Sequence, residues 1–284
     1  MPTCVATEAG EICKPGQKMK TKTILYLGCA IATLQLTSPS HAVPTFDQFG
    51  PFPNATFGGV GIPNDSVAAS TQFVADFDAQ PGRQSAQITL AMNTTQRFSN
   101  DVVTNDGFGT FFAEPGSNFG NPLNPLDQSS SSLEGATWNF NFYILVEGIN
   151  GSDPTLADFQ IDLLYDFDPG VNTPTSEQGR INITNGAIAA AIQGNTPVTS
   201  LAEGSENLLF NFLETGIPNI VMPPTSVNAF SPEAIGEYSF SIEVISLLDG
   251  STLETVGISV VVPEPSSLAL LGLASLGLAV RRRA

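Results

Sequence analysis

In the stretch ATWNFNFYILVEG, Trp138, Phe140, Phe142, Ile144 and Val146 alternate with Asn139, Asn141, Tyr143, Leu145 and Glu147. Successive side chains of a strand point to opposite faces, so this period of two predicts a β-strand with one wholly apolar face. The same signature recurs at TQFVADFD near Thr71, SAQITLAMN near Ser85, ADFQIDLLYDFD near Ala157, GRINIT near Gly179 and ENLLFNFLE near Glu206. GEYSFSIEVISLL near Gly236 and STLETVGISVVV near Ser251 close the series, joined by Leu248, Asp249 and Gly250 as a hairpin connection.

Between the strands lie GGVGIPND, TNDGFG, EPGSNFGNPLNPLDQSSSS and DPGVNTP, dense in the residues that turns require. GAIAAAIQ, from Gly186 to Gln193, is the one segment that reads as a short helix. Many short strands with few helices predict an all-β fold, an antiparallel β-sandwich or jelly roll. The polar stretch from Glu114 to Gly135 reads as a long surface loop in one domain, since neither side of it holds enough strands to close a sandwich.

The two ends break this pattern. From Met19, Lys20 and Lys22 precede an apolar run from Ile24 to Leu36, and Ser40 and Ala42 supply small residues before Val43. That order is a secretory signal peptide cut between Ala42 and Val43, with translation beginning at Met1 or Met19. Cys29 behind Leu27 and Gly28 resembles a lipid-attachment site, but the apolar run continues past it. The expected organisation is a leader over 1–42, a β body over 43–261 and a tail over 262–284.

In that tail, VPEPSSLALLGLASLGLAVRRRA, prolines stiffen the segment around Glu264, and an uncharged run then leads to Arg281, Arg282 and Arg283. Leu268 to Val280 is short for a membrane span: as a helix the uncharged run reaches about 22 Å, against about 30 Å of hydrocarbon. The arginines would hold its end in the cytoplasm as a stop, leaving the body outside. The motif, the apolar run and the arginine cluster together resemble a PEP-CTERM sorting signal. The resemblance implies that Pro263, Glu264 and Pro265 are recognised by an integral-membrane exosortase, and that the body is delivered to the surface or exopolysaccharide matrix of a Gram-negative bacterium.

Composition sharpens the picture once the ends are set aside. All three cysteines, the only histidine and all four lysines precede Val43, and three of the six arginines are the terminal cluster. From Val43 to Glu264 the body with the start of its tail keeps Arg83, Arg97 and Arg180 against 25 of the 27 acidic residues, a formal charge of −22. Such a charge repels nucleic acid and anionic membrane. Without His, Cys or Lys the body has no Ser-His-Asp triad, thiol nucleophile, Schiff base or histidine-bound zinc.

Carboxylate chemistry and calcium remain. A glycoside hydrolase needs two facing acids and an aromatic platform, but Trp138 and Phe140 alternate with asparagines as core residues do. For calcium, Asp166 and Asp168 stand two apart before Gly170, with Asp162 further back, and Asp76 and Asp78 form a second pair. The sequence therefore predicts a non-catalytic, exported surface or matrix protein with calcium-assisted contact to exopolysaccharide. The alternative is a secreted carbohydrate-binding module or glycoside hydrolase.

Overall fold

A computed structural model of the chain describes residues 44–59, 62, 65–74, 84–97, 103–118, 135–184, 200–227 and 229–264. The leader, the Ala42–Val43 bond, Asp76, Asp78, the 186–193 segment, Pro265 and Arg281, Arg282 and Arg283 lie outside those residues.

Two sheets carry the fold. The first runs, edge to edge, β1 (Gln48–Pro51), β2 (Asp65–Phe73), β3 (Ala86–Gln96), β8 (Trp138–Gly148) and β11 (Leu201–Glu206). The second runs β12 (Val221–Met222), β10 (Gly179–Asn182), β9 (Phe159–Tyr165), β13 (Gly236–Ser246), β14 (Thr252–Val262), β5 (Thr110–Phe112) and β4 (Thr104–Asn105). A small pair, β6 (Ser117–Asn118) with β7 (Gly135–Ala136), pins together the two ends of the long polar stretch.

The sequence pattern accounts for the packing. Trp138, Phe140, Phe142, Ile144 and Val146 of β8 all enter one core with Tyr238, Phe240, Ile242 and Val244 of β13 and Val256, Ile258, Val260 and Val262 of β14. The rings of Phe140 and Phe240 stack across the sheets at 4.6 Å, and Trp138, 1% exposed, lies 6.0 Å from Phe240. Trp138 is thus a core residue and no sugar platform.

Three features depart from the sequence reading. The sheets are not purely antiparallel: β5 joins β14 in parallel, Val260 opposite Phe111. A parallel pair needs a long crossover, and here the chain passes through β8 and β11 of the first sheet and β9, β10, β12 and β13 of the second between the two strands. The run ENLLFNFLE is not a strand. β11 ends at Glu206, and a short helix α1 (Asn211–Thr215) follows. The cause is Asn207, whose side chain takes the backbone amides of Ala136 (2.9 Å) and Leu209 (3.1 Å) and donates to the carbonyls of Ala136 and Trp138, turning the chain off the sheet.

The third departure is the outward face of the first sheet, which is also covered. Phe57, Ala55, Ala68, Ala91 and Tyr143 form a second, smaller core there. The segment that supplies Phe57 is clamped down by Glu203, which accepts hydrogen bonds from Thr56 N (2.9 Å) and Thr56 Oγ1 (2.7 Å). On the same face Asn141, fully buried, donates from Nδ2 to Asn93 Oδ1 (2.7 Å) and Thr95 Oγ1 (3.1 Å), while its Oδ1 is buried without a hydrogen bond.

Candidate functional site

The acids singled out for calcium sit on β9 and just beyond it. Because Ile161, Leu163, Tyr165 and Phe167 turn into the core, Asp162, Asp166 and Asp168 turn outward. Asp162 is nevertheless 1% exposed, and its Oδ2 accepts from Arg180 Nη1 at 2.8 Å and Gln160 Nε2 at 2.7 Å. The β9–β10 register places Arg180 beside Leu164, on the same face as Asp162. Asp162 Oδ1 is buried without a hydrogen bond.

Asp166 and Asp168 close successive turns. Asp166 Oδ1 accepts from Asp168 N (2.8 Å), its Oδ2 from Ser239 N (3.4 Å), and Asp168 Oδ1 accepts from Gly170 N (2.9 Å). Side-chain acceptance from the backbone two residues on is what makes aspartate a turn former. Among the described residues no three acids, histidines or cysteines gather where a metal ion would be held. Calcium at millimolar concentration is expected to leave the melting temperature within about 1 °C of its starting value, because a cation bound to the folded state would raise it. A rise of several degrees would show that calcium binds the folded protein.

The outward face of the second sheet also carries a groove of ≈ 340 Å³, between Pro44–Thr45 on one side and the Asn172–Gln178 loop on the other. Its floor includes Ser239, Ser241, Thr255 and Ser259, and none of its lining residues is charged. Thr45 is fixed there by its carbonyl, which accepts from Gly257 N at 2.7 Å. Gln178 Oε1, on the groove wall, is buried without a hydrogen bond.

Two buried ionisable groups were invisible in the sequence. Arg97, 9% exposed, lies over the Phe210 ring at 5.2 Å, and burial lowers its pKa. Glu206, 2% exposed, shares the inward face of β11 with Ala202, and burial pushes its carboxyl up to about 8.

The tail leaves from the middle of the second sheet. β14 lies between β13 and β5, Val262 still faces Gly236, and Val261 faces Phe112. Exposed Pro263 and Glu264 follow with no spacer. Beside the exit is a cleft of ≈ 260 Å³ whose lining includes Val171, Ile235, Gly236, Val262 and Glu264.

A family model for the PEP-CTERM protein-sorting motif matches residues 261–283. The tail is a PEP-CTERM sorting motif. The motif marks the chain as an exported protein sorted by an exosortase. Among curated proteins and among solved structures, none matches the chain. The PEP-CTERM match begins inside β14, so the strand and the sorting motif share Val261 and Val262. No described helix is long and apolar enough to cross a membrane, and the apolar run of the motif lies outside the described residues.

Proposed function

We propose that the sorted body is a non-catalytic component of the cell surface or extracellular matrix of a Gram-negative bacterium, and that it holds exopolysaccharide in the groove of the second sheet. The observation that carries this reading is the groove's lining. In a body of formal charge −22, it offers hydroxyl and amide groups and no charge at all. Hydroxyls and amides exchange hydrogen bonds with a neutral sugar chain without the desolvation cost of an ion. Hydrolysis is not part of the proposal, because the carboxylates that reach the groove floor are engaged, Asp166 with the backbone amides of Asp168 and Ser239 and Glu237 with Ser259 Oγ (3.0 Å). Calcium is assigned a separate part, bridging the exposed acids of the body to any carboxylated polymer.

The test is retention of the purified protein on host exopolysaccharide separated into neutral and carboxylated fractions. Retention is expected on the neutral fraction with or without chelator, and Ser241→Trp, which fills the groove, should weaken it about tenfold. Retention on the carboxylated fraction alone, abolished by chelator, would reject the groove and leave the calcium bridge.

A further inference from the structure

Glu264, the acid of the sorting motif, lines the same cleft as Val171 and Ile235. Those two side chains are 43% and 42% exposed, where β14 leaves the sheet. A single exposed aliphatic residue is ordinary; two of them flanking a recognition residue form a patch with a location. Because Val262 is still paired with Gly236 and Val261 with Phe112, the recognition residues are not held away from the body on a linker. Whatever grips Pro263, Glu264 and Pro265 must also meet the cleft. The uncharged run follows at once, so Leu268 lies within about 13 Å of chain from Glu264.

We infer that this cleft is a docking surface for the extracytoplasmic face of the exosortase, adding contacts from the folded body to those made by the motif. The inference rests on the sorting motif and is independent of the polysaccharide reading. Continuity with the recognition residues argues for the enzyme as occupant. Charge argues against lipid, since a body of −22 is repelled by anionic headgroups. The fitting enzyme surface is apolar opposite Val171 and Ile235, with a cation opposite Glu264.

The experiment follows tail removal from the full-length protein by its exosortase, first in detergent and then in lipid vesicles, with mass spectrometry reporting the product. V171D/I235D is expected to lower kcat/KM about tenfold in both settings with an unchanged thermal melt. L247D/L248D changes a second exposed apolar pair at the far end of β14, about 33 Å away, and should be processed at the wild-type rate. Equal rates for V171D/I235D and wild type would overturn the inference. A loss confined to vesicles would overturn it in favour of lipid, and a wild-type dimer that V171D/I235D dissociates would overturn it in favour of a second copy. Should V171D/I235D fail to fold, V171S/I235S carries the same comparison.

Discussion

Gly236→Ala is expected to lower the melting temperature by roughly 8–15 °C, corresponding to about 4 kcal/mol in a domain of this size. Two costs combine. Gly236 has φ +154°, a conformation side chains rarely adopt, and a Cβ built there lies 2.1 Å from the carbonyl oxygen of Pro169 and 2.6 Å from its Cβ. Neither partner yields easily, because the same Pro169 carbonyl accepts the Glu237 amide at 3.1 Å, fastening the Asp166–Gly170 turns to the start of β13. Each cost is about 1–3 kcal/mol. Gly250→Ala isolates the first: its φ is +72° and nothing lies within 4 Å, so about 1 kcal/mol is expected. Denaturant melts of the two variants check the ratio, and equal losses would mean that the Pro169 contact contributes nothing.

Stability should fall as pH rises from 5 to 8. Burial pushes Glu206 up to about 8. Burial, helped by the charge of Asp168, pushes Asp166 up to about 6 against hydrogen bonds from Asp168, Thr173 and Ser239. In both cases the folded state holds a proton that the unfolded state, with an ordinary carboxyl near 4, has released. Their contribution is therefore complete below about pH 4 and is lost as pH rises through about 6 for Asp166 and about 8 for Glu206. At most about 1.4 kcal/mol per pH unit attaches to each group, giving a loss on the order of 3–5 kcal/mol by pH 8. Glu206→Gln should recover most of what is lost above pH 6 and change little at pH 5. Melts of the two proteins across this range decide it. A wild-type melting temperature that is flat from pH 5 to pH 8 would show that Glu206 ionises freely.

Large side chains at strict period two made β8 legible, and the β13–β14 pair was marked by two long alternating runs joined at Leu248, Asp249 and Gly250. Such patterns report burial on one face and need no knowledge of neighbours. What they conceal is everything fixed by register. Tyr143 looks like a solvent-facing position of β8, yet a strap held by Glu203 packs Phe57 and Ala55 into a buried cluster with it. Asp162 resembles a free carboxylate until the β9–β10 pairing brings Arg180 to it from 18 residues away. Asn207 looks like a polar interruption in a strand, when its amide is the cap that ends one. The groove was equally hidden, because its floor comes from alternate residues of two strands and its walls from Thr45 and a loop near Thr173. The sorting motif was readable because it is contiguous and works as an extended peptide; its distance from the folded body was not.

That distance gives the tail a second meaning, in time rather than in space. The strand that ends at the motif sits in the middle of its sheet, with β13 on one side and β5 on the other, and it supplies the amide that meets the Thr45 carbonyl. An exported chain crossing amino end first delivers β14 after every other described strand, so until then β13 and β5 wait with unpaired edges of the kind that invite aggregation. The sorting motif follows that strand directly, so it emerges last and is still uncut when β14 can first enter the sheet. Cutting the tail late releases a closed fold; cutting it early would release an open one, so the interval before processing doubles as the time allowed for folding to finish.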